Sequence, residues 1–270
     1  MTTLFLIITF ILGLAVGSFL NVIAYRSVHG GSIFFGRSRC PHCKKELKTA
    51  DLIPIVSFLL LKGKCRYCGK KISLQYPLVE VATGVLFAFT FYFWNITYHV
   101  SSVSYVDLAQ LIFLLFIVSV LVVLFVTDIK DGLLPNSIVL PAIIVVLAYK
   151  TFLTFFIPLP ISSLLADLLA AFLAALAFFV IVFVSGERAM GGGDVKLVFL
   201  IGLIVGWPAI LVSLFASFLT GAAVAVMLLL IGKKRFGQTI PFGPFLTIGG
   251  FIALFWGQQI LDVYLRTINR

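Results

Sequence analysis

The sequence has little charge. Of its 270 residues, 11% are Asp, Glu, Lys or Arg, whereas soluble globular domains carry about 25%. Hydrophobic residues make up 61% of the chain and the mean hydropathy is +1.18. Their arrangement in long runs excludes an ordinary soluble domain, and the lack of short alternating segments excludes a transmembrane β-barrel. The sequence therefore predicts an all-α polytopic membrane protein.

The apolar runs predict about eight transmembrane helices, each long enough to cross a bilayer. We place them approximately at 4–25, 77–94, 107–127, 136–157, 163–184, 195–207, 209–231 and 243–261. The sixth is the least regular, because the apolar stretch 196–232 exceeds one span of about 20 residues and must turn near Gly206, Trp207 and Pro208. No Lys or Arg precedes Arg26, so we expect a retained first helix rather than a cleaved signal peptide.

Basic residues are concentrated in one segment. Residues 26–76 hold 11 of the 20 Lys and Arg residues. If this segment is cytoplasmic, alternation of the spans places 17 of the 20 on the same side, with both termini outside. The net charge of +10 then reflects topology and attraction to anionic membrane lipid, and it requires no nucleic-acid partner.

Cysteine is also scarce, and all four cysteines lie in the polar segment 26–76. Cys40 and Cys43 form CPHC, and Cys65 and Cys68 form CRYC after 21 intervening residues. Two such turns can present four thiolates to one tetrahedral zinc ion, and a filled site of this kind is structural. The alternative is a set of redox-active or unliganded thiols. We predict a small cytoplasmic zinc-ribbon-like domain (26–76) inserted between the first transmembrane helix (1–25) and a membrane core (77–270).

Acidic residues number only ten, so each is conspicuous. Asp128 ends the third predicted span in LFVTDIKDG, and Asp194 opens the sixth in GGGDVKL. Two spans separate them, so the topology places both near the cytoplasmic boundary at similar depth. Two adjacent carboxylates share one proton, so that one acts as general base and the other polarises a carbonyl, as in aspartic proteases. The alternative is that each caps a helix or is solvated.

Several motifs resemble those of the type IV prepilin leader peptidases, a family of GxGD-class membrane aspartic proteases. The resemblance covers nearly the whole chain in the expected order, through GSFLNVIAYR (17–26), the cysteine segment (40–80), TDIKDGLLPN, GGGDVKL and IPFGPFL (240–246). It implies that Asp128 and Asp194 are the catalytic residues. One departure is visible, because Asn136 stands where the family often has Asp after a proline.

The resemblance implies a substrate and a second reaction. Members of the family cleave the basic leader of prepilins and pseudopilins at the cytoplasmic face of the bacterial inner membrane. Many then methylate the new N-terminal residue with S-adenosylmethionine. We expect Gly191 and Gly193 to allow close approach of an extended substrate backbone, and Lys196 to hold the local field or a phospholipid head group. Glu80 either caps its helix or shapes the active cavity. Its contribution to methyl transfer is implied only by the resemblance to the family.

Two other classes of protein remain open at this point. A proton-coupled transporter also carries intramembrane carboxylates and interrupted spans, although it tends to hold its acids near the midplane. A non-enzymatic zinc-bearing membrane adaptor would make both aspartates structural.

Overall fold

The computed structural model describes residues 2–32, 36–98, 104–156, 160–187, 190–233 and 240–268. Arg188, Lys234 and Arg235, which support the predicted orientation, lie outside them. A short 3-10 turn occupies Thr49–Asp51. The described part of the chain contains nine α-helices, which are α1 (Thr2–His29), α2 (Val56–Leu60), α3 (Gln75–Tyr98), α4 (Tyr105–Asp131), α5 (Asn136–Phe156), α6 (Ile161–Ser185), α7 (Gly192–Val205), α8 (Ala209–Leu230) and α9 (Gly243–Ile268).

Seven of these helices are long and apolar enough to cross a membrane, counted among the described residues. They are α1, α3, α4, α5, α6, α8 and α9. The prediction of an all-α polytopic membrane protein is confirmed. The sixth predicted span is α7, whose 14 residues extend about 21 Å, less than the 30 Å of a hydrocarbon core. Its shortness follows from two breaks, the glycines before Asp194 and the turn at Gly206.

The helices fall into two compact units, Met1–Val123 and Leu124–Arg270. In the first unit α1 packs on α3 through small residues. A Cβ on Gly13 would lie 2.7 Å from the Gly84 Cα, and one on Gly17 would lie 2.8 Å from the Glu80 Cα. Close backbone approach of this kind is how membrane helices gain packing energy without a hydrophobic driving force. The predicted boundaries at 25/26 and 76/77 remain a prediction.

In the second unit glycines also set the helix contacts. A Cβ on Gly202 of α7 would lie 2.7 Å from the Ala171 Cα of α6, so these two helices pack backbone to backbone. A Cβ on Gly249 of α9 would overlap the carbonyl oxygen of Ser213 in α8. These contacts bury α7 beside α6 and seat α9 on α8, which determines where the first residues of α7 and α9 lie.

One end of this unit is held by an acidic side chain on α6. Asp167 accepts a hydrogen bond from the Lys150 ammonium group of α5 and one of 2.8 Å from the backbone N–H of Trp207. Gly206 turns the chain at φ +70° between α7 and α8. The carboxylate therefore ties α5, α6 and the α7–α8 turn together at the end opposite the first residue of α7.

Candidate active site and metal centre

Asp128 lies in the last turn of α4 and is buried, with 5% of its surface exposed. Its Oδ2 atom has no hydrogen-bond partner in the described part of the chain. The backbone N–H of Gly243, the first residue of α9, interacts with the carboxylate. A charged group this far from water is costly, so its position needs a specific explanation.

Asp194 is the third residue of α7 and is 6% exposed. Its Oδ2 atom accepts a 3.3 Å hydrogen bond from the backbone N–H of Gly191, the residue that caps the helix. Burial, together with the negative charge of Asp128, raises the pKa of Asp194 to about 6. The predicted cap is therefore present, but this carboxyl group is also repelled by the charge of a second buried carboxyl group, that of Asp128.

These two aspartates belong to the same compact unit. The C-terminal turn of α4 and the N-terminal turns of α7 and α9 meet at one end of it, since Gly243 contacts Asp128 and Gly193 contacts Leu134 just after α4. The topology argument from sequence predicts that both aspartates lie near one membrane boundary at similar depth. A buried carboxyl with a raised pKa beside an unpartnered carboxylate oxygen is an arrangement suited to acid–base chemistry.

The glycines before Asp194 have different surroundings. A Cβ on Gly193 would lie 3.2 Å from the Leu134 Cβ, so this glycine allows α7 to pack against the α4–α5 connection. Among the described residues, a Cβ on Gly192 would meet nothing within 4 Å, and one on Gly191 would meet only the Asp194 carboxylate, at 4.0 Å. Space around Gly191 and Gly192 is thus open, whereas Gly193 is confined by protein.

Lys196 lies two residues after Asp194 and is exposed. Its Nζ donates a 2.8 Å hydrogen bond to the Asn136 Oδ1 at the start of α5. The sequence departure at position 136 therefore gives this lysine a neutral partner where an aspartate would form an ion pair. The bond also bridges the N-termini of α5 and α7.

The four cysteines form a single cluster. Their sulfur atoms all lie within 4.8 Å of one another, and Cys40 Sγ lies 3.9 Å from Cys68 Sγ. Four thiolates bound to one zinc ion at about 2.3 Å are separated by about 3.8 Å, so the donor set fits a tetrahedral zinc ion. None of the four cysteines forms a disulfide.

Both cysteine pairs adopt the same backbone turn. Cys40 N–H donates to Lys45 O and Lys44 N–H to Cys40 O, and the second pair repeats these bonds with Cys65, Lys70 and Gly69. The residue after each pair has positive φ, +58° at Lys44 and +69° at Gly69. The repeated CxxCKK and CxxCGK pattern therefore encodes two equivalent knuckles.

Asp51 organises the polar segment that carries the knuckles. Its side chain is only 3% exposed and accepts a 2.6 Å hydrogen bond from Arg66 Nε. Lys48 N–H and the Tyr67 hydroxyl donate to its other oxygen. Although burial opposes ionisation, the bonds from Lys48, Arg66 and Tyr67 hold the pKa of Asp51 below its usual value. This carboxylate links the segment before α2 to the second cysteine pair.

Glu80 belongs to the first unit and lies in the second turn of α3. It is 7% exposed, and its Oε2 accepts a 2.8 Å hydrogen bond from the backbone N–H of Ile55. The Ser18 side chain also donates to it. Ile55 has φ +61° and ψ −49°, and the N–H of Val56 bonds back to Pro54 O, so these residues form a strained γ-turn. Glu80 thus holds the cysteine segment against α1 and α3.

The geometry defines a multi-pass membrane protein with a buried aspartate pair in its second unit and a four-thiol centre in its first. Two family models match the chain. The Bacterial Peptidase A24 N-terminal domain matches residues 11–94, which include the cysteines. The Type IV leader peptidase family matches residues 114–226, which include both aspartates. No solved structure matches the chain.

Similar proteins span nearly the whole chain. A prepilin leader peptidase/N-methyltransferase of Bacillus subtilis is 34% identical, with 96% of this chain and 97% of the relative covered. Proteins of the same description from Stutzerimonas stutzeri and Pseudomonas aeruginosa are 31% and 32% identical, each with 97% of this chain and 94% of the relative covered. The chain belongs to the type IV leader peptidase family.

Proposed function

We propose that this protein removes the leader from type IV prepilins or pseudopilins and then methylates the new N-terminal residue. The observation that carries the first reaction is the pair of buried carboxyl groups, Asp128 and Asp194, at one end of the helix bundle. Family membership and the names of the relatives support both reactions.

In the proposed peptidase step the two carboxyl groups share one proton. We assign the shared proton to Asp194 and the negative charge to Asp128, because burial and the charge of Asp128 raise the pKa of Asp194. Asp128 takes a proton from water while the oxygen of that water bonds to the scissile carbonyl carbon, and Asp194 gives its proton to the carbonyl oxygen. The resulting diol collapses as the C–N bond breaks. Asp128 then passes its proton to the leaving amine, and the proton of the diol hydroxyl returns to Asp194.

The open space around Gly191 and Gly192 suits an extended substrate backbone beside Asp194. The substrate must be unwound there, since a helix hides its carbonyl groups in its own hydrogen bonds. A prepilin has a hydrophobic helix in the bilayer and a basic leader in the cytoplasm. Its scissile bond would then meet the aspartates at the cytoplasmic boundary, with Lys196 at the same end near phospholipid head groups.

This orientation rests on charge. With residues 26–76 in the cytoplasm, most Lys and Arg residues lie inside and both termini lie outside. A bacterial inner-membrane location follows from the family. The orientation is tested by labelling the cysteine of an Ala50→Cys variant with a membrane-impermeant reagent from each side of the membrane. Labelling only from the outside would contradict the orientation.

We infer that Cys40, Cys43, Cys65 and Cys68 hold a structural zinc ion. A segment of about 50 residues has too small a core to be stable alone, and a bound metal supplies the missing stability. S-adenosylmethionine is the methyl donor that the second reaction requires. The strained turn held by Glu80 makes the segment next to the knuckles a candidate for that activity.

The decisive experiment incubates purified protein in detergent with a prepilin whose basic leader ends in glycine. Leader removal and N-methylation are followed together by mass spectrometry. Asp128→Asn and Asp194→Asn should each abolish cleavage and leave folding intact, because Asn preserves size and one acceptor oxygen. Normal cleavage by both variants would contradict the aspartate mechanism.

A further inference from the structure

The segment IPFGPFL, residues 240–246, leads into α9. It contacts an aromatic cluster through Phe242 and the Asp128 carboxylate through Gly243. Phe242 enters an aromatic cluster, with its ring centroid 5.2 Å from that of Phe218 in α8 and 6.3 Å from that of Phe178 in α6. Phe245 completes the cluster at 6.1 Å from Phe242. The absence of a side chain on Gly221 makes room for the Phe242 ring, since a Cβ on Gly221 would lie 3.3 Å from that ring. Phe242 therefore anchors the start of α9 between α6 and α8.

The next residue meets the catalytic carboxyl group. A Cβ on Gly243 would lie 2.6 Å from Asp128 Oδ2 and 2.9 Å from Asp128 Cγ. Gly243 has no positive φ, so its backbone conformation is open to any residue. Glycine is required here only because the carboxylate occupies the space in which a side chain would stand.

We propose that Phe242 and Gly243 are positioning residues of the peptidase site: Phe242 fixes the first turn of α9, and Gly243 lets that turn close directly against Asp128. This assignment rests on the proposed function. It explains a motif whose position in the sequence, far from both aspartates, reveals no role for it.

The arrangement orients Asp128 in two ways. The first turn of α9 presents the Gly243 N–H, which interacts with the carboxylate, and the positive end of the helix dipole, both of which favour a carboxylate. The same contact limits where the carboxylate can move, and it leaves Oδ2 buried and without a hydrogen-bond partner among the described residues. A buried oxygen held in this way is available to accept a proton from water at one fixed place.

The competing explanation is that Gly243 is an ordinary packing glycine of α9. Gly249 and Gly257 serve that purpose on the same helix, against Ser213 and Ala209 of α8. Gly250 provides a matched control, because the three atoms nearest to a Cβ there are Ile201 side-chain carbons, the nearest at 3.4 Å, which is ordinary contact. Among the glycines of α9, Gly243 alone faces a carboxylate of the pair.

The test compares Gly243→Ala with Gly250→Ala in the detergent cleavage assay, with thermal unfolding measured on the same preparations. Displacement of a catalytic group by about 1 Å costs roughly 100-fold in rate. We expect Gly243→Ala to lower kcat by about 100-fold with little change in KM. Gly250→Ala should stay within about threefold of wild type, because ordinary van der Waals contact displaces nothing.

Phe242→Leu is the second variant and covers the case in which Gly243→Ala does not fold. It adds no atom near Asp128 but loosens the anchor, so it should lower kcat by about 10-fold while KM changes little. Near-wild-type kcat in either folded variant would overturn the proposal, as would an equal loss in Gly250→Ala or a rise in KM alone. Cleavage by wild type and its loss in Asp128→Asn establish the proposed function separately, so an active Gly243→Ala protein contradicts only the positioning role.

Discussion

Asp194→Asn should abolish cleavage and at the same time make the protein more stable above pH 6. Burial and the charge of Asp128 raise the pKa of Asp194 from 3.8 to about 6. This difference corresponds to about 3 kcal/mol of unfavourable free energy in the folded state once the group is ionised. A raised carboxyl pKa means that stability is fully present below about pH 4 and is lost as the pH rises through about 6. Asparagine does not titrate, so it removes this loss.

The assay is thermal unfolding in detergent at pH 4 and pH 8, at one scan rate because membrane proteins often unfold irreversibly. At pH 4 the midpoints of wild type and Asp194→Asn should be similar. At pH 8 the variant should melt about 6–12 °C higher, at roughly 2–4 °C per kcal/mol for a chain of this size. Asn retains an oxygen that can accept the Gly191 N–H bond, so the cap is preserved.

Asp262→Asn is the matched control, because Asp262 is an exposed acid on α9. Its midpoints should follow those of wild type at both pH values. If Asp194→Asn melts below wild type at pH 8, or if its advantage is the same at pH 4, the argument from burial and like charge is refuted. Retained cleavage would instead refute the catalytic assignment.

Four further outcomes follow from the geometry. The kcat of wild type should fall as the pH rises through about 6, because Asp194 then loses the proton that it donates; a kcat that rises there contradicts this role. Cys40→Ser should reduce the zinc measured by metal analysis from an equimolar amount, whereas unchanged zinc would exclude the site. Glu80→Leu leaves the Ile55 N–H unsatisfied at a cost of about 1–3 kcal/mol and should increase proteolysis of the cysteine segment, whereas Glu80→Gln should not. Gly193→Val should lower cleavage by at least 10-fold by pushing α7 from its leucine neighbour, and full activity would contradict this.

Much of the architecture was predictable because it depends on composition and local pattern. In a bilayer no water can bond an exposed backbone, so a long apolar run must form a helix. The described helices occupy the predicted runs. The paired cysteines were predictable for a similar reason, since a CxxC turn is a local structure and two of them form one donor set. Sequence reasoning also identified α7 as the irregular span, although its length depended on where the turn at Gly206 falls.

The contacts of single polar residues were not predictable. Glu80 was weighed as a helix cap or as a cavity residue, whereas its carboxylate accepts the backbone N–H of Ile55, 25 positions away. Asn136 carries no local signal that its partner is Lys196, 60 positions along the chain. Such bonds join groups that are distant in sequence, and their formation depends on how the helices pack.

The sequence alone determined the class of protein, the number and order of the apolar helices, the thiol donor set and the two aspartates that are candidates for catalysis. These follow from hydrophobicity, spacing and charge, which act locally or through alternation of spans. Only the tertiary structure decided that Gly243 confines Asp128, that Gly193 seats α7 on Leu134, and that Glu80 holds the turn at Ile55. Close packing makes these contacts, and a contact between distant segments exists only once the helices have been brought together.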